Sequence, residues 1–247
     1  MNMRIEPHYK NHMREWFKGL FVLSIVLVAI FIMTLIVEII IPGGGDGSTS
    51  AIESIGIIFI FVSGIAKFKQ SLKHSFANGI SRKTEFVTSL LSGATASVIM
   101  VFGFIALGFL FSLITPYKGL FDEAFNAYNF SSVAEYAFNR FFYDFFGYFG
   151  SYIAGACIGA LYYRMNRVLR IAVSVGVPCL FIFGSGGLAY AAFRNDTLRN
   201  FFETILNFIT RVMSQPLTNN ILTIVNTVIC AVIYFLLIRK APIKENA

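Results

Sequence analysis

A chain of 247 residues that is 56% hydrophobic and only 13% charged carries several runs longer than the roughly 20 apolar residues that cross a bilayer as helix. The expected class is all-α and polytopic in a membrane. A β-barrel is excluded, because a run such as FVLSIVLVAIFIMTLIVEIII is apolar on every face instead of alternating. The net charge of +7 is a bias between loops and is not read as nucleic-acid binding.

Residues 1–16 are predicted to form a cytoplasmic amphipathic helix. Tyr9, Met13, Trp16, Phe17 and Leu20 share one face, and Lys10, Asn11, Arg14, Glu15 and Lys18 take the other, which suits a helix lying along a membrane surface. The polar lead and the apolar run behind it are too long for a cleaved signal peptide. One transmembrane domain is expected over 1–247: spans one and two in 17–66, a loop at 67–85, spans three to six in 86–238 and a tail at 239–247. The six spans are placed at 17–41, 50–66, 86–115, 141–163, 171–193 and 219–238. Ser50, Glu53 and Ser54 shorten the second, and the third, at about 45 Å, must tilt or project.

Loops rich in Lys and Arg stay cytoplasmic. The N-terminal segment, the loops after spans two and four and the tail together hold fifteen basic residues, and the opposite side holds five, Lys118, Arg140, Arg194, Arg199 and Arg211. Both termini are therefore expected inside, in a multi-pass plasma-membrane protein. Nine of the thirteen acids fall outside. Sequons at Asn129 and Asn195 sit in external segments and matter only in a glycosylating host.

Cys157, Cys179 and Cys230 lie singly in spans and read as free thiols. His8, His12 and His74 read as solvated, and the spacing of His8 and His12 alone does not make a metal site. GISRKT at 79–84 lacks the glycines of a phosphate-binding loop. No span holds an acid, His or Lys near its middle, and Glu38, Glu53 and Asp144 all fall toward the outer face.

Gly147, Ser151, Gly155 and Gly159 recur every four residues and predict a close helix contact in span four. Pro178, with Gly184, Gly186 and Gly187 behind it, predicts a kink in span five. Residues 198–213 have helical apolar spacing and are stopped by Pro216, as a half-inserted helix. The stretch 121–149 holds nine Phe and four Tyr. It reads either as an interfacial aromatic belt or as a wall for an amphipathic substrate, with Asp144, Phe145, Tyr148 and Phe149 the candidate pathway residues. Asp144 can also pair with Arg140 one turn earlier.

The loop KFKQSLKHSFANGISRKTE at 67–85 carries the most information. Phe68, Leu72 and Phe76 fall four apart on one helical face, with Lys69 and Lys73 turned away. Asn78 and Gly79 supply a left-handed stop, and Ser81 can cap the next helix.

FANGISRKT at 76–84 resembles the loop of bacterial ABC-2 type permeases (type V exporters), where L-x-N-G-[IV]-S-R-[KR] is common. The resemblance extends to the architecture of the whole chain, and within the family it looks most like Gram-positive peptide-export permeases of the phenol-soluble modulin or lantibiotic-immunity type. It implies an N-terminal connecting helix and, after span two, a short cytoplasmic coupling helix seated on a separate ATPase. Phe68, Leu72 and Phe76 would enter the ATPase cleft with Lys69 and Lys73 at its rim, and Asn78, Gly79, Arg82 and Lys83 belong to the same contact. It further implies a transport subunit that is not itself an enzyme and has no cofactor of its own, ATP and Mg being bound by the partner. Two ATPase copies would pair with two permease subunits, as a homo- or heterodimer in the lipid bilayer. A standalone channel or secondary carrier, or a membrane scaffold or sensor that recruits a cytosolic protein, remain as alternatives.

Overall fold

The computed structural model describes residues 5–40, 52–113 and 117–239. Among them are eight helices and no strand: α1 (Ile5–Ile40), α2 (Ile52–Ala77), α3 (Arg82–Ser112), α4 (Leu120–Ala124), α5 (Val133–Arg164), α6 (Arg167–Arg194), α7 (Asp196–Met213) and α8 (Pro216–Arg239). Four of them, α1, α3, α5 and α8, are long and apolar enough to cross a membrane. Their surface agrees: Phe21, Phe109 and Met33 are 68%, 67% and 64% exposed, which water would not tolerate over so many neighbouring side chains. The chain is thus all-α and of membrane type. The other two expected spans correspond to α2, where Glu53, Lys67 and Lys69 flank a shorter apolar stretch, and α6, where residues 184–193 lie outside the described side chains. The expected span ends at 41, 50 and 115 and the tail beyond 239 lie outside the described residues.

The amphipathic segment is not a separate element. It forms the first turns of α1, a continuous helix of 36 residues about 54 Å long. Its apolar face enters the bundle: Trp16 is fully buried and its ring lies 5.5 Å from that of Tyr152. His12, expected to be solvated, is buried with it.

The centre of the bundle is the pair α2 and α5. A Cβ added to Gly155 would lie 2.1 Å from the Phe61 carbonyl oxygen, and one added to Gly64 would lie 2.4 Å from that of Tyr152. Gly159 meets the Ile65 carbonyl at 2.9 Å in the same way. With no side chains between them, the two backbones touch, which is how helices associate where lipid offers no hydrophobic drive. Ser151 is half-buried beside this row. Gly147 departs from the expected packing ridge: an added Cβ would meet nothing within 4 Å.

Helix α8 packs on the other side of α5 through polar pins. Asn220 donates to the Asn139 carbonyl at 3.2 Å, and the Cys157 thiol donates to the Cys230 carbonyl at 3.1 Å. Helix α3 joins both: the Ser89 hydroxyl lies 2.8 Å from the Tyr152 hydroxyl and 3.1 Å from that of Tyr234. Helix α6 stays helical through Pro178, whose ring removes the bond to the Ser174 carbonyl. The amphipathic α7 ends at Met213, and Pro216 occupies the first turn of α8, where its missing N–H costs nothing.

Gly155→Ala and Gly64→Ala should each destabilise the protein by about 1–3 kcal/mol, because the backbones must part to admit the methyl group. Gly103→Ala, at a position open on all sides, should be neutral or mildly stabilising. Thermal unfolding midpoints in detergent compare the three, and equal midpoints would mean that the α2–α5 contact does not limit stability.

Candidate functional site

Two polar constellations stand at opposite ends of α2. At its first turn, the Glu53 carboxylate accepts the Leu120 backbone N–H at 2.6 Å and the Tyr117 hydroxyl at 3.0 Å. Burial, reinforced by Glu53, holds the Tyr117 phenol well above its ordinary pKa, so it remains a donor. Arg140 of α5 is the hub. Its guanidinium lies 3.5 Å from Glu53, 3.3 Å from Asp122 and 3.8 Å from Asp144, and it donates to the Tyr136 hydroxyl at 2.7 Å. Tyr136 in turn donates to Asp122. Three carboxylates on three helices thus share one guanidinium, and a formal excess of two negative charges remains.

The segment 117–132, which contains α4, is held against this hub by aromatic packing. Phe121 is fully buried, with the rings of Phe125, Phe130, Tyr136 and Tyr143 between 5.0 and 5.7 Å away. Such offset and edge-on contacts add to what burial alone contributes.

Beside the hub is a cavity of about 230 Å³, lined by Glu53, Asp144, Tyr143, Tyr148, Asn219 and Thr223 among others. Of the four candidate pathway residues, Asp144 and Tyr148 line it. Phe145 and Phe149 do not: they are half-buried against the core, stacked on each other at 5.7 Å. Gly147, expected at a helix contact, lines the cavity instead. Glu53, Asn219 and Thr223 were not singled out as site residues, although an acid inside an apolar stretch was a visible signal for Glu53. The cavity has apolar and aromatic walls and carboxylates at one end, which suits a molecule that is part greasy and part cationic.

At the other end, α2 continues through Ala77 without the expected separate coupling helix. Gly79 then takes φ +66°, in the left-handed region open to glycine, and Ser81 caps α3 by accepting the Thr84 N–H at 3.2 Å. The expected outward face is corrected here. Phe68 and Leu72 are 5% and 1% exposed, with Phe68 packed 6.0 Å from the rings of Tyr163 and Tyr234, so they serve the core and are not offered to a partner. The side chain of Phe76 lies outside the described ones. Lys69, Lys73, Asn78, Gly79 and Lys83 are exposed. Arg82 donates to the Arg239 carbonyl and so caps the last turn of α8.

The hairpin is clasped from inside. Ser71 and Ser75 both donate to the buried Glu85 carboxylate. His12 of α1 lies 2.8 Å from the Ser71 hydroxyl and 3.8 Å from Glu85. Since the single Ser71 proton goes to Glu85, the network assigns a proton to His12 Nε2. Sequence reading missed this clasp. Among the described residues no group of His, Cys and acids could hold a metal ion.

Comparison of the chain with protein-family models, curated proteins and solved structures returned no match.

Arg140→Met should cost about 3 kcal/mol, because it strands buried carboxylates, and adding Glu53→Gln should recover part of the loss. Unfolding midpoints of the single and double variants test this; a wild-type midpoint for Arg140→Met would make the hub incidental.

A pH dependence follows from Lys67, the first residue after the apolar stretch of α2. Its ammonium lies 3.5 Å from the centre of the Trp16 ring with no hydrogen-bond partner, and burial lowers its pKa from 10.5 to about 7 despite the opposing pull of Glu15. The native state then sheds a proton near neutrality that the unfolded chain keeps until much higher pH, so stability should rise as pH increases from about 7 to about 9. Lys67→Met should remove this rise in the unfolding midpoint, and an unchanged pH profile would exclude Lys67 as its source.

Proposed function

We propose that the chain is the membrane-spanning permease subunit of an ABC-2 type exporter, with six spans and both termini in the cytoplasm. It hydrolyses nothing itself and moves amphipathic, cationic peptides or similar hydrophobic compounds outward when a partner ATPase, loaded with ATP and Mg, closes. The observation that carries this reading is the ordered, basic hairpin at 76–84, the segment of the family resemblance. It protrudes between two long helices and is tied by Glu85 and His12 to the start of α1, so a push on it reaches the bundle.

Because Phe68 and Leu72 are spent on the core, the contact with the ATPase falls to the exposed residues at this end of α2 and in the hairpin: Lys69, Lys73, Asn78, Gly79 and Lys83. Acidic groups on the partner would meet these lysines. At the other end of α2, the cavity beside Glu53 and Asp144 supplies the two terms an amphipathic cation needs, apolar walls and negative charge. A neutral lipid would use only the first.

Three measurements test the reading in turn. In a background lacking Cys157, Cys179 and Cys230, an impermeant thiol reagent added to intact cells should label a Cys at Asn129 and spare one at Ala77; the reverse pattern would overturn the orientation. Lys69→Glu with Lys73→Glu should lower copurification of an ATPase about tenfold, since like charges juxtaposed across an interface cost several kcal/mol. Asp144→Asn should leave that assembly intact and weaken stimulation of ATP hydrolysis by a cationic amphipathic peptide in nanodiscs. Undiminished ATPase recovery from the double variant would remove the hairpin from the contact, and stimulation by neutral lipid alone, unchanged in Asp144→Asn, would remove the peptide.

A further inference from the structure

A second cavity, of about 490 Å³, opens at the hairpin end between α2, α5 and α6. It is lined by Lys69, Arg167, Arg170, Tyr162, Tyr163 and Gly159, with Ile65 and Ala66 on its apolar side. Its cations come from two helices, Lys69 from α2 and both arginines from the first turn of α6. That turn carries no acid, and a helix start is where the macrodipole disfavours cations. Among the described residues neither Lys69 nor Arg167 has an acidic partner. Arg170 donates to the Tyr162 carbonyl at 3.2 Å, and the Tyr162 hydroxyl lies 2.9 Å from that of Ser174, so the arginine and the tyrosine are held in place.

Three positive charges are gathered at one mouth, two of them in the first turn of a helix, where the dipole adds to the attraction for an anion. The volume is ample for a phosphodiester with its glycerol, since a water takes about 30 Å³. The apolar side of the cavity, toward Ile65 and Ala66, lies one and two turns along α2 from the exposed Val62 and Ile58. Basic pockets of this kind between membrane helices suit acidic headgroups. We propose that this cavity binds a phosphoryl anion, presented either by the headgroup of an acidic phospholipid or as free phosphate. Arg167 and Lys69 grip the phosphoryl oxygens, Arg170 and Tyr162 frame them, and an acyl chain would run along the apolar side. The site shares Lys69 with the proposed ATPase contact, but its binding readout needs no ATPase and would stand if the export reading failed.

The test is native mass spectrometry of the full chain in detergent, titrated in separate arms with phosphatidylglycerol, phosphatidylcholine and inorganic phosphate, alongside thermal unfolding midpoints. Retention of phosphatidylglycerol over phosphatidylcholine should fall about fivefold for each cation removed in Arg167→Gln and Lys69→Gln. Arg167→Lys should keep most of it. Arg14→Gln with Lys18→Gln, which takes two exposed charges from the N-terminal part of α1, should leave it unchanged, separating the site from general attraction to an acidic surface. A midpoint raised by inorganic phosphate, and lost in the same variants, would assign the free anion as the source. Equal retention of the two lipids with no response to phosphate would overturn the proposal. So would a preference that survives in the Arg167→Gln, Lys69→Gln double variant, provided its midpoint in phosphatidylcholine matches wild type and shows it folded.

Discussion

The backbone contact between α2 and α5 sets the register of the bundle that α1, α3 and α8 join. Gly64 admits the Tyr152 carbonyl, and Gly155 and Gly159 admit those of Phe61 and Ile65. The approach is close enough that a single methyl group would have to push a peptide unit aside. Because dispersion falls off within an ångström, this seam contributes its full attraction only in one register. That register sets where the large side chains of α5 go: Tyr152 toward Gly93 of α3, Tyr148 toward Gly56 of α2 and the stacked ring of Phe104.

The seam also explains why polar chemistry collects at the ends of α2. Its middle has no room for side chains, let alone for charges and the partners they need when buried. Beyond the glycine row the helices part, and the gaps are filled by Arg140 with its three acids at one end and by Glu85 with Ser71, Ser75 and His12 at the other. Each cluster ties further helices to that register, the first binding α2, α4 and α5, the second α1, α2 and α3.

The helical class and the existence of the long elements were legible from apolar run length, because that signal is local. The stop at Asn78–Gly79 and the Ser81 cap were legible for the same reason. What periodicity does not say is which surface an apolar face will meet. Trp16 and Met13 fitted a membrane surface as well as a protein core, and Phe68 and Leu72 fitted a partner as well as Tyr163 and Tyr234; in each case the core took them. Gly147 shows a geometric limit. A row of residues four apart drifts about 40° per step around a helix, so Gly147 is turned about 80° from Gly155 and leaves the seam for the cavity. His12 and Glu85 could not be paired from sequence, since their contact depends on three helices meeting, and each alone looks like a residue for water.

Helix α2 runs unbroken from Ile52 to Ala77, so Glu53 and Ser75 are joined by about 33 Å of continuous helix. No loop lies between them to take up slack. A displacement of α2 as a rigid helix would therefore be felt at both ends. Packed interfaces of this kind hold discrete arrangements and do not deform continuously. The carbonyls of Phe61 and Ile65 sit opposite glycine in one register, so α2 has the mechanics of a keyed shaft, which holds its setting until the key is lifted from the slot.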